Sequence, residues 1–69
     1  MTEMKQFLGK RILFKERPYA ISIIEATVLQ ISPKGFVKLE FQSGATQWID
    51  SEDIDKMEIL EVLDPVPIN

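Results

Sequence analysis

The densest run of chemically capable side chains is Asp50-Ser51-Glu52-Asp53-Ile54-Asp55. Clustered carboxylates are the ligands a hard cation prefers. A helix–loop–helix calcium loop, however, needs a glycine at its sixth position, and Asp55 stands there. The same residues suit a different task. Asp50 or Ser51 can accept from the free amides at a helix start, and acids favour the positive end of a helical turn. The cluster therefore predicts a capped single turn and no metal site.

Other chemistry is bounded by absence. With no histidine and no cysteine, the chain has no imidazole base, no thiolate and no disulfide. Tyr19, Lys34 and the acids show no catalytic spacing, so no catalytic residue, cofactor or small-molecule substrate is expected. Trp48 is the one tryptophan. Its face depends on the turn before it. A two-residue Ser43-Gly44 turn pairs Trp48 with Leu39 and buries it; one further residue in the turn sends it outward beside Lys38 or Phe36. Exposed, it is a binding hot-spot candidate.

The elements that must position these residues fit one small domain. In 69 residues there is room for one core, and a chain of this size buries only roughly 60% of its unfolded surface. Charge is unevenly spread. Residues 1–38 hold seven Lys/Arg and three acids, a balance of +4; residues 39–69 hold Lys56 and eight acids, a balance of −7; together these give −3. Lys5, Lys10, Arg11, Lys15, Arg17, Lys34 and Lys38, with Tyr19 and Phe36, offer a basic and aromatic set suited to nucleic acid. The net acidity opposes that reading.

Met4, Phe7 and Leu8 have helical spacing, with Thr2 as cap and Gly9 as stop, so Met1–Leu8 is expected to form a short helical turn. Lys10–Glu16 reads as a strand with Ile12 and Phe14 on one face, ended by Arg17-Pro18. Ala20–Ile31 is rich in Ile, Val and Thr and reads as a second strand with a bend near Ser22–Glu25. Ser32-Pro33-Lys34-Gly35 is a hairpin turn, with proline at the second position and glycine in the left-handed one. Phe36–Phe41 alternates, so Val37, Leu39 and Phe41 share a face. Ser43-Gly44 turns the chain into Thr46–Asp50, and Ile54 plugs the core below the capped turn. Met57–Leu63 is the last strand. The single domain is taken as 1–64, with 65–69 an extended tail whose Pro65 and Pro67 cannot donate to a ladder.

The expected fold is all-β: a five-stranded SH3-like small barrel with an N-terminal helical turn and a one-turn helix before the last strand. Glu25–Ile31, then Phe36–Phe41, then Gly44–Ile49 with Ser51–Ile54, resembles the Tudor run of two strands, glycine turn, strand and helical turn. Such domains often hold methylated lysine or arginine in an aromatic cage. At the positions the resemblance assigns to the cage, this chain has Ile23, Ile24 and Ser43, and its one aromatic there, Phe41, is expected in the core, so the cage is mostly missing and the resemblance implies the Tudor-like fold and not that ligand.

Filling a barrel core with Ile12, Phe14, Ala26, Val28, Val37, Leu39, Phe41, Ile54 and Ile59 leaves Leu13, Ile21, Ile23, Leu29, Phe36, Leu60 and Leu63 over. Such a surplus on neighbouring strands predicts an exposed patch. The expected binding residues are Leu13, Tyr19, Leu29, Phe36, Trp48 and Leu60, and the expected partner is a protein or a second copy. The function read from the sequence is a non-catalytic protein-contact module. The alternatives are a nucleic-acid-binding barrel using the basic half, or a structural accessory protein of a phage or mobile element. No run approaches the ~20 apolar residues of a membrane span. No signal segment is seen, and a cytoplasmic location is expected.

Overall fold

The computed structural model describes residues 4–63. The expected cap Thr2 and the expected tail 65–69 lie outside the described residues.

Five antiparallel strands form one sheet: β1 (Arg11–Lys15), β2 (Ile24–Ile31), β3 (Val37–Phe41), β4 (Thr46–Ile49) and β5 (Glu58–Leu63), in the spatial order β4-β3-β2-β1-β5. A 3-10 turn, Lys5–Phe7, precedes β1, and a short helix α1 (Ser51–Lys56) precedes β5. Strand number and helix placement are those expected. Among the described residues the expected barrel is not closed: β4 and β5 are the two edges, and no ladder joins them.

Both hairpin loops are built alike. Gly35 N–H donates to Ser32 C=O at 3.0 Å, and Ser32 N–H to Phe36 C=O at 2.8 Å. Gly44 N–H donates to Phe41 C=O at 2.9 Å, and Phe41 N–H to Ala45 C=O at 2.8 Å. Each is a turn followed by a glycine at positive φ, +93° at Gly35 and +92° at Gly44, a geometry that residues with a Cβ avoid. Ser32 and Ser43 reinforce the loops, their hydroxyl oxygens accepting from Phe36 N–H and Ala45 N–H. The second loop thus spans Gln42-Ser43-Gly44, one residue more than Ser43-Gly44 alone. The register becomes Leu39↔Gln47 and Lys38↔Trp48, and the buried placement of Trp48 is excluded.

Alternation sets the core. Ile12 and Phe14 of β1, Ala26 and Val28 of β2, Val37 and Leu39 of β3, and Ile54 of α1 are buried on one side of the sheet. Met4 joins them, so the N-terminal turn packs over the core. Two hydrogen bonds hold it there: Gly9 N–H to Val28 C=O at 2.8 Å, and Val28 N–H to Lys10 C=O at 3.0 Å. Phe41 and Ile59, expected in the core, are half-buried against it. Asp50 caps α1 as expected, its Oδ1 accepting from Glu52 N–H at 3.1 Å. That cap fixes how Ile54 enters the core.

The second strand departs from expectation in two ways. It begins at Ile24, not Ala20. Its last partner on β1 is Phe14, and among the described residues nothing pairs with Ile21-Ser22-Ile23. Composition alone cannot make a strand without a neighbour. The irregularity also lies elsewhere. Between Val28↔Leu39 and Gln30↔Lys38 the register shifts, which inserts Leu29 as an extra residue. A matching shift inserts Leu60 in β5, between Leu13↔Glu61 and Phe14↔Ile59.

Leu39 is fully buried at the centre of this core, and Leu39→Ala is expected to cost roughly 2–5 kcal/mol. Gly44→Ala is expected to cost about 1–2 kcal/mol through the backbone alone, since an added Cβ meets nothing within 4 Å. Urea titrations followed by circular dichroism check both values. A Leu39→Ala variant as stable as the parent would refute the core assignment.

Candidate protein-binding surface

The sheet face opposite the core carries the side chains that alternate with it: Arg11 and Leu13 on β1, Glu25 and Thr27 on β2, Lys38 and Glu40 on β3, Thr46 and Trp48 on β4. At one end of this face, Lys38 stands between Trp48 on one side and Gln30, with the inserted Leu29, on the other. Phe36 lies two residues before Lys38 on the same face and diagonally across from Trp48. Trp48 is 46% exposed, and the Lys38 ammonium sits 5.9 Å from its ring centroid. That distance is within the range of a cation–π contact. Leu29 and Phe36 are also exposed.

Of the six residues expected to bind a partner, the register brings together Leu29, Phe36 and Trp48. Leu13 is half-buried in the middle of the face, between Glu25 and Glu61. Leu60 is exposed at the inserted position of the opposite edge strand. Tyr19 belongs to the β1–β2 connection, where it is 83% exposed beside Ile21 at 95% and Ile23. The surplus therefore resolves into a Trp48-centred cluster, an apolar connection and the isolated Leu60. Lys38 is expected in the basic set and not among the six protein-contact residues. Counting Gln42 into the second loop would have placed it against Trp48.

Charge is interleaved across the molecule. Arg11 pairs with Glu25 at 3.0 Å, and Lys15 lies opposite Glu58. Arg17 reaches Asp53 at 3.5 Å, joining the basic first half of the chain to the acidic cluster. On the core side an open hollow of about 230 Å³, below the ~300 Å³ of typical ligand pockets, is lined by Phe14, Ile24, Leu39 and Phe41 with the Arg17–Asp53 pair. A second hollow of about 310 Å³ lies between the N-terminal turn, the first hairpin loop and α1. Among the described residues no group of three or more acids could hold a metal ion, and no helix is long and apolar enough to cross a membrane. Comparison with protein-family models, with curated proteins and with solved structures finds no match for the chain.

Trp48 fluorescence tests this geometry directly. The native emission is expected to be that of a partly hydrated indole, readily quenched by acrylamide. A double-mutant cycle on Lys38 and Trp48 is expected to give a coupling of about 0.5–1 kcal/mol. A blue-shifted, unquenched emission would place the indole in the core and contradict the register.

Proposed function

We propose that the chain is a non-catalytic module of SH3-like, Tudor-like architecture that works in the cytoplasm through protein contact on its outer sheet face. The strand order supports the architecture: β5 follows a short helix and returns to pair with β1, as a small barrel requires. The absence of cysteine fits the location. One observation carries the function. Trp48, Phe36 and Leu29 are exposed together around Lys38, and a partly exposed tryptophan with apolar neighbours is the composition of an interface hot spot. The aromatic cage of Tudor domains is not part of the reading, since Ile23, Ile24 and Ser43 occupy its positions.

The nucleic-acid alternative needs the basic half of the chain to become a basic face. The register works against it. Arg11, Lys15 and Arg17 are each placed against an acid, so phosphate would meet an alternating surface.

Fluorescence anisotropy with single- and double-stranded DNA and RNA near physiological salt is expected to show no binding. Capture of a protein partner from the source cell is expected to be lost in Trp48→Ala and retained in the triple change of Lys10, Arg11 and Lys15 to alanine. Salt-sensitive micromolar binding to nucleic acid that the triple change abolishes would replace this reading with the alternative.

A further inference from the structure

The two edges of the open sheet differ. Strand β5 carries Glu58 and Glu61 and an inserted residue, devices that keep an edge from pairing with another strand. Strand β4 is Thr46-Gln47-Trp48-Ile49, with no charge, no proline and no register shift. Its free hydrogen-bonding groups can be assigned. Phe41 N–H bonds Ala45 C=O, so antiparallel alternation gives the β3-facing groups to Ala45, Gln47 and Ile49. The amides and carbonyls of Thr46 and Trp48 then point away from the sheet. Among the described residues no strand pairs with that side.

We propose that β4 pairs antiparallel with β4 of a second copy, the two-fold axis passing through Gln47. The proposal rests on the reading of the chain as a protein-contact module and names the partner. In this register Thr46 faces Trp48 of the second copy, and their outward groups exchange both hydrogen bonds, twice over by symmetry. Gln47 faces its own copy on the core side, where a primary amide can both donate and accept.

Charge selects this register over its neighbours. On the outer face Glu40 stands behind Thr46, and Lys38 behind Trp48. Centred on Gln47, each row across the junction runs Glu40, Thr46, then Trp48 and Lys38 of the second copy, with opposite charges at its ends. Centred on Trp48, the row would end in two lysines; centred on Thr46, in two glutamates. Lys38 already leans over the Trp48 ring, toward the edge. A four-residue strand buries far less than the ~800 Å² per partner of a standard interface, so the dimer is weak and concentration-dependent.

Sedimentation velocity across micromolar to millimolar concentrations, read with amide hydrogen exchange, tests the pairing. The full chain is expected to pass from monomer to dimer, with protection rising at the Thr46 and Trp48 amides and not at Gln47. Thr46→Pro removes an outward amide without touching the β3 ladder and is expected to weaken association about ten-fold or more. Lys38→Glu is expected to weaken it too, and the swap Lys38→Glu with Glu40→Lys to restore it. The swap also controls for folding. A monomer at every concentration overturns the pairing and leaves docking of a different protein on the Trp48 face intact. Species larger than a dimer overturn it in favour of β4 pairing with β5 of the next copy. A dimer that survives Thr46→Pro and is lost in Trp48→Ala overturns it in favour of contact through the face.

Discussion

The structure depends on the count of residues in two loops. In a sheet the side-chain period is two, so one residue more or fewer in a hairpin turns a whole strand over. Gly35 and Gly44, both at positive φ, let each hairpin close as a turn plus one. That single constraint places Val37 opposite Ile49 toward the core and Lys38 opposite Trp48 toward solvent. The core loses an indole, and Met4 and Ile54 cover it from the N-terminal turn and α1 instead. The outer face gains the tryptophan, with a cation beside it.

Much of the architecture is legible because local and long-range signals agree. Val37-Lys38-Leu39-Glu40-Phe41 alternates cleanly, Ser32-Pro33-Lys34-Gly35 has the chemistry of its turn, and Asp50 caps the helix it begins. Legibility fails where two answers are locally equal. Gln42 is acceptable inside a loop or at a strand end, and only the geometry decides which. Leu29 looks like any other residue of a β-branched run, and its insertion shows only in the register of β2 against β3. Ile21 and Ile23 have strand composition without a neighbour, a fact of assembly and not of composition. The candidate surface is therefore partly legible. Leu29, Phe36 and Trp48 are identifiable as surplus or ambiguous residues, while their meeting around Lys38 depends on the loop count.

Charge shows the same relation between chain and fold. Along the sequence the basic residues come first and the acidic ones last. Strand β5 nevertheless returns to β1, setting Lys15 against Glu58, and α1 brings Asp53 to Arg17. Exposed pairs of this kind add about 0–1 kcal/mol each. At these places the polarity of the chain is broken up in the fold.

The pairing of β1 with β5 also bears on kinetics. The β2–β3 and β3–β4 hairpins close loops of a few residues, whereas Arg11 must wait for Leu63 before its ladder is complete. Non-local closure of this kind slows folding. During synthesis the first four strands can zip together while β1 still lacks one of its two neighbours. The interrupted β5 is thus the strand that arrives last, and its two glutamates and inserted residue discourage stray pairing while it is unattached.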